Sequence, residues 1–208
     1  MKSNLLKIVK FIQLTHEFQS VTRRIFVVGD SRRENDMEHS FQLALLAWYI
    51  ADSEKLALDK NRLVQYALIH DLVEVYAGDT VPYGDKALLA TKKEREYNAA
   101  QRLQKEFPEF KDLHRLIEKY EARTDKESKF VYALDKIIPI FNIYLDSGHT
   151  WQADGVTLDM LIAYKTDKVA FDERIKKYFD ELVRILKKEE VNLFPGKVGH
   201  RKSIKKLL

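Results

Sequence analysis

The chain has 208 residues, 45% hydrophobic and 33% charged, a composition typical of a globular domain with a substantial core and not of a disordered chain. It contains no cysteine, which excludes disulfides, thiolate ligands and a thiol nucleophile, so any metal must be held by His, Asp or Glu. The formal net charge of +4 is small against 36 basic and 32 acidic residues and indicates a solvated surface with a mild bias toward anionic ligands.

The first fourteen residues predict an amphipathic helix and not a signal peptide, because Lys7 and Lys10 interrupt the apolar positions. The longest apolar run, 43–51, is too short to span a bilayer. Together with the absence of cysteine, these features favour a cytoplasmic location. We expect one domain over 1–190 and a basic, flexible C-terminal tail over 191–208.

Helices dominate the predicted elements, because Gly and Pro are few, at 7 and 4, and no segment shows a convincing period of two. The fold class predicted is therefore all-α. In chain order the prediction begins with a helix whose face carries Leu5, Ile8, Val9 and Ile12, followed by an irregular stretch over 17–34. A second helix, capped by Asn35 or Asp36, carries Phe41, Leu45, Trp48 and Tyr49. A third helix runs from Asp59 to Gly78. After a loop that contains Pro82 come helices over 86–106, 110–120 and 126–144, a loop over 147–155, and one long helix over 158–188.

One of these helices carries charged groups within an apolar pattern. The segment IHDLVEVYAGD, residues 69–79, contains His70, Asp71 and Glu74. In a continuous helix His70 and Glu74 lie on one face, with Asp71 beside them. A carboxylate in such surroundings requires a partner, because burying an isolated charge is very costly, and a divalent cation supplies one.

Two further polar residues lie inside apolar helical stretches. His39 begins the second helix, and Asp135 lies between Leu134 and Ile137. With His70 and Asp71 they would supply four ligands from three helices and leave positions open on a six-coordinate ion. Open positions admit water and a phosphate oxygen, as metal-assisted hydrolysis requires.

Each of these residues, taken alone, has a structural interpretation. His39 could be a capping or core histidine, Asp71 a paired surface residue, and Asp135 an acceptor for Lys136 or an arginine. The ordered set of His, His-Asp and Asp, each in an apolar helical stretch, is far more specific than any member.

The sequence as a whole resembles the HD-domain superfamily of metal-dependent phosphohydrolases. The segments NDMEHS, HDLVEVYAGD and ALDKI resemble its signature. Arg24, Glu74, Gly78-Asp79 and Pro82 resemble the 5′-deoxynucleotidase branch, and KKEREYNAAQRL with EKYEARTDKESKFVYALDKI resembles its HD-domain-containing protein 2 group. The similarity covers about residues 5–185.

The resemblance implies roles by position. It implies a divalent cation (Co, Mn, Ni, Fe, Zn or Mg) held by His39, His70, Asp71 and Asp135. It implies catalysis by Glu74, a contact of Asp79 with the sugar 3′-hydroxyl and leaving-group side, and a contact of Arg24 with the phosphate. Ile25 stands where bacterial deoxynucleotidases carry Trp, so selection for deoxyribose is expected to be incomplete. A homodimer is also implied.

Three of these positions also have structural interpretations. Arg24 could be solvated, since four arginines crowd 23–33, Glu74 could form a salt bridge with one of them, and Asp79 could be a turn residue. Lys92, Lys93 and Arg95 are predicted to form a solvated helix face.

We therefore expect an enzyme that hydrolyses (deoxy)nucleoside 5′-monophosphates to nucleoside and phosphate. The arginine-rich segment over 23–33 leaves open a pyrophosphohydrolase acting on an alarmone or a nucleoside triphosphate, and a non-catalytic nucleotide sensor is a third hypothesis. Nucleic acid and membrane are not expected as partners, because aromatic residues suited to base stacking along a strand are not evident and no apolar run is long enough to span a bilayer.

Overall fold

The structure is a computed structural model that describes residues 3–81 and 83–196. Its helices are α1 (Asn4–Gln19), α2 (Asp36–Ser53), α3 (Lys60–Ile69), α4 (Glu74–Ala77), α5 (Lys86–Glu106), α6 (Lys111–Ala122), α7 (Lys126–Leu145), α8 (His149–Asp154), α9 (Leu158–Val169), α10 (Glu173–Lys188) and α11 (Glu190–Leu193). Two short strands, β1 (Thr22–Phe26) and β2 (Arg33–Asn35), pair with each other. The prediction of a mainly helical fold is confirmed.

Side-chain caps explain where several helices begin. Asn35 accepts a hydrogen bond from the backbone N–H of Glu38, and the side chain of Glu38 accepts one from the backbone N–H of Asn35. Of the two predicted caps it is therefore Asn35 that begins α2, as part of a capping box. Asp59 caps α3 in the same way. These caps satisfy backbone donors that the first turn of a helix leaves without an intrahelical partner.

The prediction of an irregular stretch over 17–34 is wrong where the two strands form. The turn between them is closed by a hydrogen bond from Val27 N–H to the carbonyl of Arg32, and Gly29 adopts a positive φ of 76° there. In β1 the burial alternates, with Arg23 and Ile25 more buried than Thr22 and Arg24. The five residues of β1, two of them adjacent arginines, are too few to show the alternation of apolar and polar residues that predicts a strand.

Three predicted segments differ from the structure in where their helices begin and end. The predicted third helix ends at Ile69, and 70–73 form a turn before α4, which Gly78 ends. The predicted helix over 158–188 is broken, because Asp172 accepts hydrogen bonds from Arg174 and Ile175 and so caps α10. The predicted loop over 147–155 contains α8.

The chain divides into two compact units, one comprising the residues up to Arg23 and Glu34–Ser128, the other Arg24–Arg33 and the chain from Lys129 onward. In the first unit one core cluster joins α1, the turn after α3, α5 and α6; its buried members are Leu14, Phe18, Leu72, Val73, Ala99, Leu103, Phe107, Leu113 and Ile117. Because Leu72 and Val73 are anchored in this cluster, the turn that carries His70 and Asp71 is fixed by packing.

In the second unit α9 and α10 pack together, and α10 buries one stripe of Ile175, Phe179, Leu182 and Leu186. Packed chain continues beyond residue 190, since Leu193 of α11 is buried and Phe194 stacks on Trp151 of α8. The rest of the predicted tail, 197–208, lies outside the described residues, and the extent of a single domain stays a prediction.

Several apolar residues that the helical patterns single out are exposed. On α2 the buried face carries His39, Leu43, Ala47 and Ile50, whereas the predicted stripe of Phe41, Leu45, Trp48 and Tyr49 is 49–67% exposed. The predicted face of α1 is exposed in the same way at Leu5, Ile8, Val9 and Ile12. Among the described residues, no helix is both long and apolar enough to cross a membrane.

Candidate metal centre and active site

His39 is placed by the first turn of α2. The capping box fixes where this helix begins, and His39 then lies on the same face as Leu43, with no solvent exposure of its own. Its ring centroid is 5.3 Å from that of His70. His39 is therefore an interior residue of the first unit and does not cap the helix.

His70 is oriented by a hydrogen bond to the end of its own helix. Its Nδ1 lies 2.9 Å from the carbonyl oxygen of Ala67, and because a carbonyl can only accept, Nδ1 carries the proton. In a neutral imidazole Nε2 then keeps its lone pair, which is the arrangement of a metal-ligating histidine. The ring of Tyr120 packs edge-on against the imidazole at 6.0 Å and limits its rotation.

The donor set formed by His39, His70 and Asp71 fits a divalent cation. Each of these residues offers one ligand atom, and the three atoms lie within 4.8 Å of one another. The Nε2 of His70 is 3.0 Å from Oδ2 of Asp71. Two lone-pair donors and a carboxylate that converge in a buried place are suited to a borderline or hard ion, in line with the absence of cysteine.

Arg23, which the sequence analysis missed, lies in this cluster. Its Nη1 donates to Oδ2 of Asp71 at 2.8 Å and to Oδ1 of Asp36 at 2.9 Å. Its Nε lies 3.5 Å from Oε2 of Glu34. Only 12% of the Arg23 side chain is exposed, so one buried guanidinium faces three carboxylates. Alternation along a strand was the signal that could have separated Arg23 from Arg24.

Asp36 is a buried carboxylate without any assigned role in the sequence analysis. It has no solvent exposure, and burial raises its pKa to about 7, helped by the charge of Asp71 and opposed by Arg23. Asp36, Asp71 and Glu74 each offer an oxygen within 4.8 Å of one another. Negative charge is thus concentrated around the candidate ligands.

Glu74 is the first residue of α4 and is 3% exposed. Burial raises the pKa of its carboxyl well above the ordinary value, the charge of Asp71 raises it further, and Lys92 acts in the opposite direction. Nζ of Lys92 lies 3.3 Å from Oε1 of Glu74. A buried carboxyl whose pKa is raised above its ordinary value is suited to exchange a proton with a substrate or a water.

Asp79 follows Gly78 in the segment after α4 and is partly buried. Its charge contributes to raising the pKa of both Asp36 and Glu74, so it belongs electrostatically to the same cluster. The first unit therefore brings together the predicted residues His39, His70, Asp71, Glu74 and Asp79.

Arg24 and Ile25 belong to the second unit. Nε of Arg24 lies 3.0 and 2.9 Å from the two carboxylate oxygens of Asp154, and Nη2 lies 2.5 Å from Oδ1. The hydrogen bond and the charge of Asp154 raise the pKa of Arg24, whose side chain is 50% exposed. Ile25 is 8% exposed, so its side chain is a core contact. The assignment of Arg24 to phosphate stays a prediction.

Asp135 also belongs to the second unit, on α7. It is 3% exposed, between the buried Leu134 and Ile137, and it forms an ion pair with Lys136. This is the partner that the structural interpretation of its sequence had named. Its role as a fourth ligand stays a prediction.

Comparisons with known proteins identify the family to which the chain belongs. A sequence profile of the HD domain family matches residues 15–177. The 5′-deoxynucleotidase HDDC2 of Homo sapiens is 33% identical over 132 residues, which cover 62% of this chain and 63% of that protein. The Bos taurus protein of the same name is 32% identical, with 62% of each chain covered. The matched segment thus spans less than two thirds of the length of these curated relatives.

A solved structure extends the likeness over nearly the whole chain. The crystal structure of a predicted metal-dependent phosphohydrolase from Magnetospirillum magnetotacticum MS-1 matches with a TM-score of 0.78 and 31% identity, covering 93% of this chain and 97% of that one. The profile match over more than half of the residues and this structural match agree. The chain belongs to the HD domain family.

Proposed function

We propose that this protein is a metal-dependent phosphohydrolase that hydrolyses (deoxy)nucleoside 5′-monophosphates to nucleoside and phosphate. The observation that carries the proposal is the buried convergence of His39, His70 and Asp71 beside the carboxyl of Glu74. The names of the relatives, a 5′-deoxynucleotidase and a predicted metal-dependent phosphohydrolase, support the reaction class.

The metal would be held by His39, His70 and Asp71, with Asp135 as the fourth ligand. Asp135 is included because it is a buried carboxylate on an apolar helix and matches the family signature. When bound, a divalent cation lowers the pKa of a bound water and stabilises negative charge on the phosphate. Cobalt, manganese, nickel, iron, zinc and magnesium are all compatible with nitrogen and oxygen ligands.

Glu74 supplies the proton chemistry in this proposal. In hydrolysis the oxygen of water bonds to phosphorus, the bond from phosphorus to the 5′-oxygen breaks, and that oxygen gains a proton. The carboxyl of Glu74, whose pKa is raised by burial and by the charge of Asp71, would donate a proton to the leaving oxygen or accept one from water. Burial of Glu74 excludes competing solvent from this carboxyl.

Arg24 and Asp79 bind the substrate in this proposal. The guanidinium of Arg24 is half exposed and already makes a two-pronged contact with a carboxylate, so a phosphate dianion could replace Asp154 with the same fork geometry. Asp79 would accept a hydrogen bond from the 3′-hydroxyl of the sugar. The buried Ile25 stands where bacterial deoxynucleotidases carry Trp, and isoleucine offers no flat aromatic face. Selection against ribose is therefore expected to be incomplete.

The arginines of 23–33 offer little support for pyrophosphohydrolysis. Arg23 contacts Asp36 and Asp71, Arg24 contacts Asp154, and the guanidinium of Arg33 lies 3.6 Å from the ring centre of Phe26. Arg23 and Arg33 already have partners in the protein and Arg24 is assigned to a single phosphate, whereas an additional phosphate would require further cations directed at the ligand.

A homodimer and a cytoplasmic location are further parts of the proposal. The exposed stripe of Phe41, Leu45, Trp48 and Tyr49 on α2 supports self-association, because contiguous apolar patches on a surface commonly mark interfaces. Light scattering coupled to size-exclusion chromatography should give twice the mass of one chain. A single-chain mass at all concentrations would contradict the dimer.

Phosphate release from a nucleotide panel tests the substrate class. The metal-stripped protein is incubated with dAMP, AMP, dATP and an alarmone, each with and without one of the candidate divalent ions. We expect metal-dependent release from both monophosphates, with a preference for dAMP that is only partial. Preferential hydrolysis of the triphosphate or the alarmone would overturn the substrate class, and binding without release under all metals would favour a sensor.

A further inference from the structure

One face of α5 is directed at α4 and at the segment that follows it. Lys92, Arg95 and Glu96 are spaced so that they share this face, and each is partly buried, whereas Lys93 and Glu94 between them are exposed. The sequence analysis had interpreted the whole stretch as a solvated helix face. The structure shows that this interpretation is wrong for Lys92 and Arg95.

Lys92 holds the carboxyl of Glu74. Its Nζ lies 3.3 Å from Oε1 of Glu74 and 2.9 Å from Oε1 of Glu96, which is one turn further along α5. Glu96 thereby fixes the ammonium group, and the ammonium group fixes Glu74. Because the side chain of Glu74 is only 4% exposed, water cannot readily take the place of this contact.

Arg95 holds the segment that contains Asp79. Its guanidinium donates to the carbonyl oxygen of Ala77, the last residue of α4, and to Oγ1 of Thr80 at 2.6 Å. A third hydrogen bond, to the carbonyl of Leu88 at 3.2 Å, ties the same guanidinium to the first turn of α5. One planar group thus bridges the residues on both sides of Gly78 and Asp79.

These contacts matter because α4 is too short to be stable as a helix without contacts to the rest of the protein. It has four residues, and isolated helices of that length are unstable in water. Gly78, which ends it, has a φ of 73°, a conformation that glycine adopts without the strain a side chain would bring. Packing of Leu72 and Val73 fixes the beginning of this region, and α5 contacts its end through the polar side chain of Arg95.

We propose that Lys92 and Arg95 are positioning residues, Lys92 for the carboxyl of Glu74 and Arg95 for the segment that carries Asp79. The inference rests on the proposed function of Glu74 and Asp79 as reacting and substrate-binding groups. A reacting group displaced by about 1 Å can cost about 100-fold in rate, so removal of either contact should lower turnover without removing a metal ligand.

Lys92→Met is compared with Lys93→Met, which removes a neighbouring exposed lysine from the same helix. For Lys92→Met we expect kcat on dAMP to fall roughly 10- to 100-fold, with KM and metal content nearly unchanged. Lys92→Arg should recover most of the loss, and Lys93→Met should match wild type. If Lys92→Met folds poorly, Lys92→Gln replaces it. A kcat within about threefold of wild type in the folded variant would overturn the role of Lys92.

Arg95→Met is tested by hydrogen exchange, which requires no activity. The N–H of Gly78 donates to the carbonyl of Glu74 at 2.7 Å and should be protected in wild type. In Arg95→Met we expect exchange over 77–80 to be about tenfold faster, and in Lys93→Met, which removes an exposed side chain from the same helix, to be unchanged. Unchanged exchange in Arg95→Met would overturn the role of Arg95. Faster exchange in a protein that hydrolyses no nucleotide would keep the positioning of this segment and reject the proposed function.

Discussion

Arg23 and Arg24 are neighbours on one strand, yet the protein uses them in opposite ways. The side chain of Arg23 is 12% exposed and faces Glu34, Asp36 and Asp71, whereas that of Arg24 is 50% exposed and pairs with Asp154. Successive residues of a strand point to opposite faces, so adjacency in sequence separates the two side chains in space. The family resemblance points to Arg24, and nothing in the sequence pattern singles out Arg23.

This difference shows that the environment of a charge decides what it can do. A guanidinium among buried carboxylates has little freedom to follow a substrate, and its removal leaves buried negative charge without compensation. A half-exposed guanidinium with one carboxylate partner can exchange that partner at small cost. We therefore assign Arg23 to the integrity of the metal centre and keep Arg24 as the candidate for phosphate.

The largest effect is expected at Asp71, the carboxylate that Arg23 contacts and that we propose as a ligand. Asp71→Ala should abolish both metal binding and phosphate release, because one donor of the set is lost. Metal content by elemental analysis and phosphate release on dAMP measure the two outcomes. Full metal occupancy in this variant would remove Asp71 from the ligand set, and Asp154→Ala, at the partner of Arg24, is the control that should keep the metal.

Glu74→Gln should retain the metal and lose most of its turnover. Glutamine keeps the size of the side chain but cannot exchange a proton, and general acid–base contributions are typically about 10²–10⁴-fold. Steady-state kinetics on dAMP, with metal content measured in parallel, test this expectation. A kcat within a few-fold of wild type would show that the Glu74 carboxyl, despite its raised pKa, takes no part in proton transfer.

Arg23→Met and Arg24→Met test the comparison directly. Breaking a buried ionic cluster from one side costs about 3–5 kcal/mol, so Arg23→Met should strongly lower the free energy of unfolding. Loss of an exposed pair costs about 1 kcal/mol or less, so Arg24→Met should fold almost as stably as wild type. Urea denaturation of both variants measures the difference, and equal costs would contradict the distinction drawn here.

A double variant and a kinetic measurement sharpen this result. Asp36→Asn added to Arg23→Met should recover part of the lost stability, because one buried charge without a partner is removed. Arg24→Met should raise KM for dAMP with stability preserved, if Arg24 binds the phosphate. An unchanged KM would show that Arg24 does not bind the phosphate and that its pair with Asp154 is structural.

The smallest effect is expected at a polar pair that neither arginine contacts. The hydroxyl of Tyr66 donates to Oδ2 of Asp125 at 2.6 Å. Burial acts to raise the pKa of Asp125, but the hydrogen bonds from Tyr66 and Ser128 outweigh it and lower the pKa. Tyr66→Phe should cost about 1 kcal/mol at neutral pH.

The sign of the pH dependence follows from the lowered pKa. A carboxyl whose folded pKa lies below its unfolded value stabilises the fold above the unfolded pKa, and that contribution disappears as the pH falls through the folded value. The stability difference between wild type and Tyr66→Phe should therefore shrink below about pH 4. A difference that is constant between neutral pH and pH 3 would show that the hydrogen bond to charged Asp125 does not contribute.

Local chemistry made much of the fold predictable. The caps Asn35 and Asp59, where two helices begin, and the helix over 86–106 were predicted correctly, because caps and turn residues act within a few positions. The break at Asp172 was missed although its cap was visible, since the apolar period continued across it. The strands were missed because pairing depends on a partner that a short pattern does not reveal.

By itself the sequence determined an all-helical fold, the family resemblance and a set of candidate ligands, because periodicity and motif spacing are local properties. Only the tertiary structure decided which of two adjacent arginines enters the metal centre, that Asp36 is buried beside Asp71, and that Lys92 and Arg95 face inward. From the sequence alone, a charged side chain is equally compatible with exposure to water and with a buried partner. Which one it meets depends on the packing of segments distant along the chain, and that packing also raises the pKa of Glu74.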